Sequence, residues 1–251
     1  MMGHLYIFLG PPGSGKTTYS VFLSDFYGSL NRLSRYVNLD CSNVQKNIIN
    51  SIDFRRILLC EEIMSELHIG PNSSIFFSIE YLCANIEWLE NEIESVIKKN
   101  KNNYFFVDLP GQMELFTHHN GIRRVIKKFN KNKFSITTLL LTDPFFWYDE
   151  SNFHILALLN LLIIFNTEIS FYHILTKIDL LLKYDLLNRG VRGKKWEKYK
   201  DEPENFSIWN LKLKYSLEDI IFDFGIMNPK PLNLSENKHL LSLVKNLDDN
   251  R

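Results

Sequence analysis

The chain has 251 residues, with 29 Lys plus Arg against 29 Asp plus Glu, and is 45% hydrophobic, 14% aromatic and 23% charged. This is ordinary globular composition, enough for one domain with insertions. The zero net charge argues against nucleic-acid binding through bulk electrostatics, a local basic patch aside.

The first residues run directly into an apolar strand, so no cleavable signal is expected. Residues 5–9 form a continuous apolar run, as a buried parallel strand requires. The run stops at Gly10, and a helical pattern begins at about Lys16. Further short strands are predicted at 36–39, 104–107, 138–141 and 172–175, each ending in polar residues, with helical material between them. The pattern predicts an α/β fold: a doubly wound, mostly parallel sheet flanked by helices, with its ligand site at the carboxyl ends of the strands. One domain is expected over 1–251, with helical insertions at about 60–100 and about 185–220.

From Ile75, apolar positions recur at Ile79, Leu82, Ile86, Leu89, Ile93 and Val96, so one long helix is expected. Its stripe suits either a core face or a dimer seam. Residues 153–165 are apolar but too short to span a bilayer, and read as a buried helix. Residues 229–234 read as a last strand and loop, followed by an amphipathic helix capped by Ser235. The three cysteines, Cys41, Cys60 and Cys83, fit no metal spacing and read as reduced thiols in an intracellular compartment.

Gly10-Pro11-Pro12-Gly13-Ser14-Gly15-Lys16-Thr17 fits the phosphate-binding pattern G-x-x-x-x-G-K-[ST] and is followed by Thr18. Its glycines let backbone N–H groups converge on phosphate oxygens, and the next helix adds its positive end. Lys16 is expected on the β- and γ-phosphates and the Thr17 hydroxyl on Mg²⁺. This motif makes the predicted fold that of a P-loop NTPase with helical insertions.

Asp108 ends an apolar strand and is followed by Leu109-Pro110-Gly111-Gln112. An Asp here holds Mg²⁺, the Gly111 N–H senses the γ-phosphate, and Gln112 can orient the attacking water. Glu114 either assists that water or caps the next helix. Asp40 ends the second strand and is a candidate metal partner or base, or else a loop aspartate capping a helix. Thr176-Lys177-Ile178-Asp179 fits the guanine-reading pattern [NT]-K-x-D, whose carboxylate accepts hydrogen bonds from guanine N1–H and N2–H₂. Asn233 is a candidate second base contact. His118 and His119 have no third ligand at suitable spacing and are expected to be packing or surface residues.

Gly70-Pro71-Asn72 reads as a turn, with Ser73-Ser74 as helix caps. Combined with the preceding motifs, it makes the chain resemble the GPN-loop GTPases, over nearly its whole length. The phosphate loop followed by Tyr19, and Thr117-His118-His119, resemble the second eukaryotic subfamily most. The resemblance implies GTP/GDP and Mg²⁺ as cofactors, with Asp40, Asp108 and Gln112 as metal and water residues. It also implies Thr176, Lys177 and Asp179 on guanine. It implies a homodimer, or a heterodimer with a paralogous GPN-loop GTPase, in which Gly70, Pro71 and Asn72 of one subunit reach the other's site. The partners implied are RNA polymerase II subunits or assembly factors, and the location is cytoplasmic with shuttling to the nucleus. A slow-hydrolysing assembly chaperone and a P-loop small-molecule kinase are the alternatives. Where the family usually reads Asp-Pro-Ala, this chain reads Asp40-Cys41-Ser42, a change expected to loosen the backbone after Asp40.

Overall fold

The computed structural model describes residues 3–43, 48, 51–98, 103–131, 134–144, 150–169, 171–179, 216, 219–220, 223 and 229–249. Most of the insertion expected at about 185–220 lies outside these residues.

The strands are β1 (His4–Leu9), β2 (Leu33–Asn38), β3 (Ile52–Asp53), β4 (Asn103–Asp108), β5 (Ser135–Thr142), β6 (Phe171–Leu175) and β7 (Lys230–Pro231). They form one seven-stranded sheet in the order β3-β2-β4-β1-β5-β6-β7. Every pairing is parallel. The helices are α1 (Lys16–Ser29), α2 (Cys60–Leu67), α3 (Pro71–Ala84), α4 (Ile86–Ile97), α5 (Glu114–Thr117), α6 (Gly121–Lys131), α7 (Glu150–Thr167) and α8 (Asn237–Asp249). All parallel connections need crossovers, so both sheet faces are covered. One core gathers Leu5, Ile7 and Val107 with α3, α4 and α6; the other gathers Tyr6, Phe8 and Phe106 with α1 and α8. The alternation along β1 and β4 supplies both layers. Strand order reverses at β1, between β4 and β5, which places the crevice beyond the end of β1.

Several expectations are corrected. The long helix is broken at Asn85, whose φ of −110° and ψ of 32° leave the helical region. Its amide side chain and its N–H both donate to the Tyr81 carbonyl, a competing arrangement typical of Asn. The apolar stripe survives the break and is a core face: Ile75, Ile79, Leu82, Leu89 and Ile93 are all buried. α7 is buried on one face only, through Leu156, Ala157, Leu161 and Ile163, while Ile155 and Phe165 are more than half exposed. No helix among the described residues is long and apolar enough to cross a membrane. Ser73 and Ser74 do not cap α3, because Pro71 already occupies its first turn and Gly70 is the N-cap. The closing helix starts at Asn237, with Ser235 in the preceding turn.

α6 packs on α3 through Gly121, where a Cβ would lie 2.5 Å from Ile79 Cγ2 and 2.7 Å from a His119 ring carbon. Gly121→Ala should therefore destabilise the fold by about 1–3 kcal/mol through overpacking, measured as a lower urea midpoint. An unchanged midpoint would show that this seam accommodates the methyl group.

Candidate functional site

The phosphate-loop residues form a tight turn at the end of β1. Gly10 and Gly15 adopt φ of 146° and 93°, a region that favours glycine. At Gly10 a Cβ would also meet the Leu141 carbonyl at 2.3 Å. The loop is thus pressed onto β5, and Thr176 reinforces it: its buried hydroxyl lies 2.9 Å from Ser14 O and 3.1 Å from Thr142 O. Thr176 is therefore a brace between β6 and the loop. Its one donor hydrogen is directed inward to these carbonyls.

Lys16 is 7% exposed, and its ammonium donates to the Gly10 and Pro11 carbonyls at 3.0 Å each. Burial lowers its pKa, while the charges of Asp108 and Asp40 oppose the shift. Gly111 lies directly against it: a Cβ there would be 2.8 Å from Lys16 Nζ. Pro11 and Ser14 are buried, whereas Pro12, Gly13 and Thr18 are exposed.

Asp108 is 1% exposed at the end of β4. Burial pushes its carboxyl up to about 6, and Asp40's charge adds to this; Thr17, Tyr36 and Lys16 pull it back. Tyr36 OH donates to Asp108 Oδ2 at 3.1 Å, and Asn43 Nδ2 reaches Tyr36 OH at 3.3 Å. Among the described residues, its buried Oδ1 has no hydrogen-bond partner. An orphaned carboxylate oxygen beside a Thr hydroxyl and a second carboxylate fits a hard cation such as Mg²⁺. Among the described residues, no group of three or more His, Cys, Asp or Glu could hold a metal ion alone. A cation held here would need further oxygen ligands beyond these carboxylates.

Asp40 is held more firmly than its neighbours suggest. Its Oδ1 accepts from Ser42 N–H at 2.8 Å and from Ser42 Oγ at 2.6 Å, a side-chain turn. Its own N–H donates to Asn38 Oδ1 at 3.2 Å. Asn38 Nδ2 donates to Asp53 Oδ1, Asp53 pairs with Arg55, and Arg55 donates to the Asn43 carbonyl at 2.7 Å. Cys41 is disulfide-bonded to Cys60 at the start of α2, with Cα atoms 5.3 Å apart. The expectation of three reduced thiols is thereby corrected, as is that of a loosened Asp40 backbone. A separation of 19 residues gave no sign of the pairing, because only the fold returns α2 to this loop.

Gln112 follows Gly111, and its Nε2 donates to Asn72 Oδ1 at 2.9 Å within the same chain. Gly70 is extended, with φ of −75° and ψ of 169°, as expected before Pro71. Glu114 is exposed in the first turn of α5, where a carboxylate favours the helix dipole.

At the far side, Lys177 has a left-handed φ of 51°. Its ammonium spans to Gly13 O at 2.6 Å and Asp143 Oδ2 at 2.9 Å, lying across the loop. Asp179 is exposed two residues on. Asn233 spends its amide locally, accepting from Ser235 N–H and donating to Glu236. This shapes the turn before α8. His119 pairs with Glu80 at 2.7 Å and accepts from Gly121 N–H, a packing role as expected.

A family model described as "Conserved hypothetical ATP binding protein" matches residues 8–249. The chain is 30% identical to GPN-loop GTPase 2 of Danio rerio, over 96% of this chain and 78% of that protein. It is 29% identical to GPN-loop GTPase 2 of Saccharomyces cerevisiae, over 96% and 72%. The crystal structure of a GTPase in apo form from Pyrococcus abyssi superposes with a TM-score of 0.67, at 25% identity over 86% of this chain and 85% of that one.

The chain belongs to the GPN-loop GTPases. Its enzymatic class is accordingly a GTPase, and the small-molecule-kinase alternative falls away.

The elements that this GPN-loop GTPase brings together include residues that motif reading misses: Tyr36 and Asn43 on Asp108, and the Asn38–Asp53–Arg55 brace. Asn38 and Asp53 end adjacent paired strands, a pairing visible only once β3 is known.

Two outcomes follow. Burying the Asp108 charge disfavours the ionised form in the fold, so the cost is full above pH ~6 and fades as pH falls toward 4. Metal-free Asp108→Asn should be more stable than the parent at pH 8, by about 1–3 kcal/mol, with the gain shrinking at pH 4.5. Chemical denaturation at both pH values checks this, and a destabilised variant at pH 8 would contradict the buried charge. Thiol titration in denaturant should count one reactive thiol, Cys83, before reduction and three afterwards. Three thiols without reductant would refute the Cys41–Cys60 bond.

Proposed function

We propose that this chain is a magnesium-dependent, dimeric GTP switch serving assembly and nuclear import of RNA polymerase II. In this reading it acts in the cytoplasm and shuttles to the nucleus. It works as a homodimer or beside a paralogous GPN-loop GTPase, without contacting nucleic acid or membrane directly. The observation that carries the nucleotide reading is convergence. Lys16, Asp108 and Gly111 lie together beside the phosphate loop, with Gln112 next along the chain, while Lys177 spans from the guanine-reading segment to Gly13 of the same loop.

Each chain residue has a chemical task. Lys16 exchanges its loop carbonyls for phosphate oxygens and neutralises charge that develops during transfer. Thr17, Asp108 and Asp40 would hold Mg²⁺, which would supply neutralisation of the phosphate charge. Gln112 holds the attacking water in line with the γ-phosphorus. Asp179 accepts the N1–H and N2–H₂ donors of guanine; adenine would leave it unpaired.

The resemblance implies that Asn72 acts in trans. The hydrogen bond from Gln112 to Asn72 within one chain favours a second reading, in which Asn72 orients Gln112 of its own site. In both readings Asn72→Ala should keep nucleotide affinity and lower turnover by ~10²–10³. Subunit mixing separates them. Asn72→Ala mixed with Lys16→Ala should regain activity if the loop acts in trans, since each mixed dimer then holds one intact composite site. Mixed dimers without recovery would support action in cis. Full turnover by Asn72→Ala would remove the residue from both.

A further inference from the structure

Tyr19 lies in the first turn of α1, three residues after Lys16, and is 4% exposed. Its hydroxyl is fully used. It donates to the Leu232 carbonyl at 3.0 Å and accepts from the Lys177 N–H at 3.1 Å. Leu232 in turn donates its N–H to Leu175, the last residue of β6. One phenol oxygen therefore joins the helix that opens at the phosphate loop to two loops at the far edge of the sheet. The ring itself packs under the phosphate loop: a Cβ on Gly15 would stand 3.1 Å from Tyr19 Cδ2. Burial holds the phenol above its ordinary pKa.

The contact to Lys177 falls where the backbone most needs support. Lys177 is a non-glycine residue at a φ of 51°, a conformation that persists only when its surroundings hold it. Its ammonium is anchored on Gly13 and Asp143 and its N–H on Tyr19. The direction of the chain leaving Lys177 decides where Asp179 points, two residues later.

We propose that Tyr19 is the positioning residue for base selectivity: its hydroxyl fixes the Lys177 backbone and so the aim of the Asp179 carboxylate. The proposal rests on reading Asp179 as the guanine acceptor. Phosphate contacts do not pass through this hydroxyl, so its loss should weaken base discrimination and spare phosphate binding. The phosphate loop keeps its own brace through Thr176.

The test is Tyr19→Phe, which keeps the ring beneath Gly15 and deletes only the hydroxyl. Fluorescent GDP and ADP are titrated into the parent, Tyr19→Phe and Asp179→Ala. Tyr19→Phe is expected to bind GDP about tenfold more weakly with ADP affinity unchanged, and Asp179→Ala to lose the preference outright. A purely structural Tyr19 would weaken both nucleotides equally, and that result overturns the proposal, as does full selectivity in Tyr19→Phe. Selectivity retained in Asp179→Ala would instead refute the guanine acceptor itself. Should Tyr19→Phe fail to fold, amide hydrogen exchange at Lys177 in the parent chain decides. Protection comparable to β6 supports the hydroxyl contact, and fast exchange overturns it.

Discussion

A carboxylate buried at the end of a central strand is costly to keep ionised, and Asp108 sits where the strand order of the sheet reverses. The residues around it answer that cost from different elements. Lys16 brings a positive charge from α1, Tyr36 a hydroxyl from β2, and Thr17 a hydroxyl from the helix start. Asp40 works against them by adding a second negative charge. The balance leaves Asp108 with an oxygen that no donor among the described residues satisfies. A site that holds two carboxylates near one another and leaves one oxygen unmet is disposed to take up a cation. The chemistry of the whole pocket follows from that uncompensated charge.

The segment after β2 shows how the fold keeps the second carboxylate in place. A proline after Asp40 would have fixed the chain direction through its ring. This chain uses other means. The Ser42 turn restrains the carboxylate, the disulfide ties Cys41 to α2, and the Asn38–Asp53–Arg55 chain reaches the Asn43 carbonyl. Asp53 is buried, and its hydrogen bonds to Arg55 and Asn38 outweigh the effect of burial and hold its carboxyl below the ordinary range. Such a charge-assisted bond from a guanidinium is stronger than a neutral one. The stiffness lost at one covalent position is thus replaced by tertiary contacts.

How much of this was legible depended on range in sequence. The phosphate loop was legible because its requirements are local: glycines for unusual φ, a lysine, a hydroxyl and a strand before them. Asp108 was legible because an apolar run stopped there. The sheet was legible because buried parallel strands read as unbroken apolar segments. The brace from Thr176 to Ser14 was not legible, because the pattern names residue types and not the direction of a hydroxyl. The break at Asn85 hid behind a stripe that continues across it, since one residue leaving the helix hardly changes the apolar period. Cys41 and Cys60, or Tyr36 and Asp108, meet only after the strands are ordered, so no local pattern announces them.

The Gly-Pro-Asn loop is better understood from what lies behind it than from its own residues. Gly70 and Asn72 are exposed, and a Cβ on Gly70 would meet no atom within 4 Å. Stiffness therefore comes from α3. Pro71 takes the first helical position, where its missing N–H costs nothing, and Ser74 N–H closes the turn onto the Gly70 carbonyl. Ser74, Ile75, Ser78, Ile79 and Leu82 bury the helix in the core. An apolar face spent on the core cannot also serve as a dimer seam, so the loop is aimed by its own subunit's packing. The direction in which Asn72 projects is consequently a property of the monomer, and at 2.9 Å its amide oxygen meets Gln112 of the same chain. Action across a dimer would have to exchange that bond for one on the partner. The cost of the exchange is small where both amides are partly exposed, because water can replace either contact. The bond from Gln112 to Asn72 thus sets the orientation of both amides within one chain without a large energetic commitment.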